Sequence, residues 1–241
     1  MKLLLLGGTS EARALAKRLH PDIDLISSLA GRVPDPALPV GPVRIGGFGG
    51  VDGLRTYLQD NEITAVVDAT HPFAATITAT AAQVCAGLGL PHLVLARPAW
   101  PHGDAIVVAD DRQAAQTVKD LGYQRVFLTT GRSGTTAFRE SDAWFLIRAV
   151  TPPDAESLPP DHEILLSRGP YGYDNELALL VDHRIDALVT KNSGGGMTRA
   201  KLDAAAALNI PVLMVDRPGL PDGVTTAATV DEAEAWVRER R

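Results

Sequence analysis

Short apolar runs alternate with longer, helix-patterned stretches from one end of the chain to the other, and this alternation constrains the fold more than any other feature. The runs Lys2–Leu6, Asp24–Ser28, Val43–Gly46, Ala65–Ala69 and His92–Ala96 come first. Ala105–Ala109, Arg125–Thr129, Trp144–Arg148, Glu163–Ser167, Ala187–Thr190 and Val212–Val215 follow. They are rich in Val, Ile and Leu and apolar on both faces, as parallel strands covered by helices must be. Helical spacing fills the gaps over Ser10–Leu19, Val51–Gln59, Ala74–Leu88, Arg112–Leu121, Asp174–Asp182, Thr198–Leu208 and Asp231–Arg240. Ser10 is the expected N-cap of the first helix, with Glu11 in its first turn. This repetition predicts parallel sheets joined by right-handed crossovers. The expected fold is α/β: two Rossmann-like halves, each a mostly parallel sheet flanked by helices, with an active site in the cleft between them. Pro98 and Pro101 mark a hinge. The expected division is therefore 1–98, a nucleotide-binding half, and 99–241, a second α/β half, with the last helix able to pack on either.

Composition narrows the function. The chain has 241 residues, 45% hydrophobic and 22% charged, enough to bury a core. The run Leu3–Leu6 is too short for a signal segment and no stretch reaches bilayer length. The single cysteine, Cys85, excludes an internal disulfide and an all-cysteine metal site, and reads as a small core residue of a cytoplasmic protein. A net charge of −6 argues against a nucleic-acid partner. The six histidines never fall at metal-ligand spacing, so no metal is expected.

Ligands of open α/β sheets bind beyond the carboxyl ends of the strands. The first such end reads Leu6-Gly7-Gly8-Thr9-Ser10-Glu11-Ala12. Its glycines allow a sharp turn and a close phosphate, and the helix start offers free N–H groups. It is not the standard dinucleotide fingerprint, because Thr9 and Ala12 stand where further glycines would fall. After the second strand, Ser27-Ser28-Leu29-Ala30-Gly31-Arg32 lacks the carboxylate that holds an NAD ribose. Ser28 and Arg32 suit a 2′-phosphate instead, so NADPH is the expected cofactor.

Cations recur just past the expected strands: Arg32, Arg97, Arg132, Arg148, Arg168, Lys191 and Arg217. Together they suggest a polyanionic ligand larger than a nucleotide. Three loops carry donors for it: Thr130-Gly131-Arg132-Ser133-Gly134, Arg168-Gly169-Pro170-Tyr171-Gly172-Tyr173 and Thr190-Lys191-Asn192-Ser193-Gly194-Gly195-Gly196. In Asp68-Ala69-Thr70-His71-Pro72-Phe73-Ala74, Asp68 and His71 are candidates for an acid/base pair, against the plainer reading in which Asp68 caps local N–H groups.

These motifs, in this order and over nearly the whole chain, resemble the precorrin-6A reductase family. Asp-Ala-Thr-His-Pro-Phe-Ala and Thr-Lys-Asn-Ser-Gly-Gly are the specific ones. The resemblance implies reduction of a macrocycle double bond of precorrin-6A by NADPH to give precorrin-6B in cobalamin biosynthesis. The substrate is a polycarboxylate ring, with handover from neighbouring pathway enzymes. Hydride chemistry then belongs to the cofactor, and the protein binds and orients. On this reading Gly7, Gly8, Thr9, Ser10, Glu11, Ser28, Arg32, Thr70, His71, Asn192, Ser193 and Gly194 hold the cofactor. Arg132, Ser133, Arg168, Tyr171, Lys191 and Gly195 hold the substrate, and Lys191, His71 and Tyr171 are the candidate catalytic residues. A cobalt-containing substrate and a non-enzymatic NADPH-binding regulator stand as alternatives. A small-carbonyl reductase would need a Tyr-x-x-x-Lys pair, which the sequence lacks.

Overall fold

The computed structural model describes residues 1–31 and 36–241. Its strands are β1 (Lys2–Leu6), β2 (Asp24–Leu29), β3 (Val43–Ile45), β4 (Ala65–Asp68), β5 (His92–Leu95), β6 (Ile106–Val108), β7 (Arg125–Thr129), β8 (Trp144–Ala149), β9 (His162–Leu166), β10 (Ala187–Lys191), β11 (Val212–Val215) and β12 (Thr225–Ala227). The helices are α1 (Ser10–Leu19), α2 (Gly50–Asp60), α3 (Ala75–Leu88), α4 (Asp111–Asp120), α5 (Tyr173–Asp182), α6 (Ala200–Ala207) and α7 (Val230–Arg238). Two 3-10 turns, Arg132–Phe138 and Ala155–Ser157, complete the described elements.

The strands form two six-stranded sheets, ordered β12-β5-β4-β1-β2-β3 and β6-β11-β10-β7-β8-β9. Each strand pairs in parallel with its neighbours. The orders match position for position except in origin of the outermost strand. β6 follows β5 in sequence but pairs with β11, and β12 follows β11 but pairs with β5. The chain accordingly divides into Met1–Pro98 with Pro218–Arg241, and Ala99–Arg217. Residues 218–241, placed with 99–241 except for a last helix left open between the halves, group with the first unit. The sequence reading also passed over β12, because Thr225 and Thr226 are exposed and only Ala227 is buried, which leaves no apolar run to see.

In β1 the alternation of side chains explains the burial of both faces. Leu3 and Leu5 pack with Ala12, Leu15 and Leu19 of α1 and with Ala233, Trp236 and Val237 of α7. Leu4 and Leu6 pack on the other face with Leu54 and Leu58 of α2 and Ala81, Val84 and Cys85 of α3. Each fully buried leucine contributes about 1.5–3 kcal/mol. This burial, more than the exposed ion pairs of Arg18 with Asp231 and Glu234, brings α7 back onto the first unit. In the second unit Phe127, Leu146 and Leu188 pack with Leu180 of α5 and Ala204 and Ala205 of α6. Among the described residues no helix is long and apolar enough to cross a membrane.

Candidate active site

In the first sheet the strand order reverses between β1 and β4, and such a switch point opens a crevice at the strands' carboxyl ends. The turn after β1 lies there. Gly7 N–H donates to Ser28 C=O at 2.9 Å. Gly8 is exposed at φ +111°, and a Cβ on it would point into open space. Thr9, rather than the expected Ser10, is the N-cap of α1. Its Oγ1 accepts from Ala12 N–H at 3.1 Å and donates to Ala69 C=O at 2.7 Å. That hydroxyl has spent its one proton, so Thr9 can offer an anion only its backbone N–H. Ser10 Oγ donates to Glu11 Oε2 at 2.9 Å, and Arg97 Nη1 reaches the same oxygen at 2.8 Å. Burial pushes the Glu11 carboxyl up, but Arg97, a backbone N–H and Ser10 together hold it below its ordinary value. Arg97 thus neutralises the one acid in this turn.

At the end of β4, Asp68 is buried and accepts from Thr70 N–H at 2.9 Å, Thr70 Oγ1 at 2.6 Å and Thr78 Oγ1 at 2.6 Å. Its carboxylate accepts from these three donors, one of them a local N–H, which is the geometry of the capping reading. His71 is exposed, accepts from Phe73 N–H at 3.3 Å through Nδ1, and lies against the Phe73 ring. Beside this loop is a cavity of about 320 Å³ lined by Pro72, Ala75, Thr78 and Ala79 and by Pro218–Pro221. Cys85 is buried, and its thiol is pushed up to about 12 by burial and then by Asp68, which leaves it an inert core residue. Ser28 lies at the end of β2, 6% exposed. Arg32 lies outside the described residues.

The second unit presents the same strand ends with different chemistry. After β7, Gly131 takes φ +78° and Arg132 and Ser133 are exposed at the start of a 3-10 turn. Lys191, at the end of β10, donates from Nζ to Thr130 C=O at 2.8 Å and pairs with Asp111 Oδ2 at 3.4 Å. Asn192 is fully buried. Its carboxamide brackets Trp100, accepting from Trp100 N–H at 2.9 Å and donating to Trp100 C=O at 3.0 Å. Trp100 Nε1 in turn donates to Gly195 C=O at 2.8 Å. The loop is therefore braced just before its glycine run and at the middle of it, and Gly194 and Gly195 take φ +63° and +74°. Ser193 is buried, and its N–H donates to Lys191 C=O at 2.7 Å. Arg168 is exposed. Tyr171 N–H donates to Met197 C=O at 3.1 Å, an approach that a Cβ on Gly169 would crowd at 3.1 Å. The Tyr171 hydroxyl donates to Ser167 C=O at 3.1 Å.

Sequence reasoning treated Arg148 as a strand-end cation, and the structure buries it. It makes two bonds to Glu176, of 2.9 and 2.7 Å, and lies over the rings of Phe127 and Tyr171. Lys201, also buried, has its ammonium 5.7 Å from the Trp100 ring. Burial first, then Arg148, lowers the Lys201 ammonium to about 7 against the pull of Glu176. Glu176, Lys201 and Trp100 were missed because each is a lone residue with no motif around it. Of the other strand-end cations, Arg217 donates from Nε to Asn192 C=O at 2.7 Å. Among the described residues no cluster of His, Cys, Asp or Glu has the geometry of a metal site.

Known proteins share this arrangement. The family model for precorrin-6x reductase CbiJ/CobK matches residues 2–238. A precorrin-6A reductase from Mycobacterium tuberculosis (strain H37Rv) is 67% identical over 236 residues, covering 98% of this chain and 97% of the relative. One from Rhodococcus erythropolis is 54% identical over 246 residues, covering 98% and 97%. A cobalt-precorrin-6A reductase from Methanothermobacter thermautotrophicus is 30% identical over 234 residues, covering 90% and 77%. A solved structure of CobK precorrin-6A reductase superposes with a TM-score of 0.91 at 37% identity, covering 99% of this chain and 97% of its own. With the glycine turn at a switch point, the braced glycine loop and a match spanning both sheets, the chain belongs to the precorrin-6x reductase family CbiJ/CobK.

Proposed function

We propose that this protein reduces precorrin-6A to precorrin-6B with NADPH. The observation that carries the cofactor reading is the glycine turn at the β1/β4 switch point, where Gly8 keeps its space open and the α1 N-terminus presents backbone N–H groups. Gly7, Gly8, Thr9 and Ser10 hold the pyrophosphate on this reading, with Glu11 kept off it by Arg97. Ser28 and Arg32 take the 2′-phosphate. Thr70, His71 and the apolar cavity beside them receive the nicotinamide end. When bound, NADPH supplies the hydride.

The second unit serves a polycarboxylate ring. Exposed Arg132 and Arg168, with Ser133, Tyr171 and Gly195, offer donors to its acid groups. Lys191 is held by Thr130 C=O and steadied by Asp111, and on this reading its ammonium anchors an acid group of the ring. Asn192 braces the loop that carries Ser193 and Gly194. The relatives named precorrin-6A reductase, at 67% and 54% identity, support a metal-free ring over the cobalt form named for the relative at 30%.

The test follows nicotinamide absorbance with purified enzyme, NADPH or NADH, and precorrin-6A or its cobalt complex. Oxidation of NADPH only when metal-free precorrin-6A is present is the expected result. Tight NADPH binding without oxidation on either ring would make the protein a cofactor-binding module instead.

A further inference from the structure

β3 contributes a cation that the sequence reading did not single out. Arg44 stands beside Ser28 in the β2–β3 register. Its Nη1 donates to Ser28 Oγ at 3.0 Å and to Gly46 C=O at 2.7 Å, and its Nη2 donates to Gly47 C=O at 2.9 Å. The guanidinium also lies 3.9 Å from the centre of the Phe48 ring and 5.0 Å from that of Tyr57. It is held in one orientation, which suits a fork that must meet an anion in fixed geometry. A guanidinium has five N–H groups, so Nε and one Nη2 hydrogen remain for a ligand. Among the described residues no carboxylate pairs with it. Ser28 accepts from Arg44 and keeps its own hydroxyl proton, although it is 94% withdrawn from solvent (6% exposed). A nearly buried hydroxyl with an unused proton, beside an unneutralised guanidinium, matches one kind of group: a multiply charged acceptor such as a phosphate.

The loop after β3 leaves room for one. Cβ atoms built on Gly46, Gly47, Gly49 and Gly50 would meet nothing within 4 Å. Gly46, Gly49 and Gly50 have positive φ, which accounts for glycine there. Gly47 does not, and no neighbour crowds it, so close approach of a ligand explains it better than the turn does. In a doubly wound sheet the ends of β2 and β3 lie on the side of the switch point that takes the adenosine half of a dinucleotide.

We propose that Arg44, with Ser28, reads the 2′-phosphate of the cofactor and sets the preference for NADPH over NADH. The inference rests on the cofactor reading above and assigns its specificity to β3. The test is titration calorimetry of NADPH, NADH and 2′,5′-ADP against wild type, Arg44→Gln and Ser28→Ala, with thermal unfolding as a check on folding. Loss of a charge-assisted contact is expected to weaken NADPH and 2′,5′-ADP by about 10- to 100-fold in Arg44→Gln. NADH should change by no more than about twofold, and the salt dependence of NADPH binding should become shallower. Ser28→Ala should give a smaller loss with the same selectivity. If NADPH and NADH weaken alike, or if neither changes, Arg44 only braces the Gly46–Gly47 turn and the proposal fails. If wild type itself does not prefer NADPH and fails to bind 2′,5′-ADP, the cofactor reading fails first.

Discussion

β4 and β10 occupy equivalent places in the two sheets, each third in its strand order, yet β4 ends in Asp68 and β10 in Lys191. Among the described residues no cation pairs with Asp68. Two threonine hydroxyls and a backbone N–H satisfy it. Lys191 leans on Asp111. The difference recurs two strands over, where β2 ends near Ser28 and β8 carries Arg148 bound to Glu176. One frame therefore supports two electrostatic designs. The first unit answers its buried acid with hydroxyls and a backbone N–H, and pairs Glu11 with Arg97. The second gathers cations, sinks some of them into its interior and holds others with acids. Strand order dictates where a ligand edge forms, and the residues ending each strand dictate what that edge can hold.

The sharpest way to break the comparison is Glu176→Gln. It leaves Arg148 and Lys201 buried without a carboxylate, so the second unit should lose about 3–5 kcal/mol. Denaturant unfolding followed through Trp100 and Trp144 would report it, and a loss below about 1 kcal/mol would mean that the pair is hydrated and the contrast overstated.

Lys201→Met should act in the opposite direction. The folded protein releases the Lys201 proton near pH 7, whereas the unfolded chain keeps it to about 10.5. Between those values the unfolded state binds the extra proton, so wild-type stability should climb with pH. Below about 7 both states carry the charge and the cost of burying it is fully present. The variant lacks this cost. It should be more stable by about 1–4 kcal/mol at neutral pH, with the difference closing toward alkaline pH. Parallel stability–pH curves for the two proteins would remove Lys201 from the list of costly buried charges.

The smallest effect belongs to the cap of α1 in the first unit. Thr9→Ala deletes the cap of α1 and the tie to Ala69, and should cost about 0.5–2 kcal/mol. Because the backbone N–H groups remain, NADPH affinity should fall by only a few fold. A collapse of affinity with unchanged stability would mean that the hydroxyl itself serves the ligand.

Much of the candidate site was legible in the chain because it lies in local turns. The Gly7–Gly8 turn, the Asp68–Ala74 segment and the Thr190–Gly196 loop all follow strands that their apolar runs reveal. Arg44 escaped notice because its partners, Ser28, Phe48 and Tyr57, are drawn together only by strand pairing and by the return of α2. Arg148 was misjudged for a related reason. Its place near a strand end suggested solvent, whereas Glu176, 28 residues away, offered a buried carboxylate.

Alternating apolar runs and helical stretches determined by themselves that this chain builds two parallel sheets, since the period of side-chain burial is a property of the local sequence. The order of motifs likewise determined the family. Only the tertiary structure decided which sheet receives each outermost strand and which charges become buried. β6 and β12 are three residues each, too short to carry a pairing preference of their own. Their place is decided by the surface left open beside β11 and β5 and by the burial of Ala233, Trp236 and Val237 against α1. Such preferences arise between segments distant in sequence, and no local pattern encodes them.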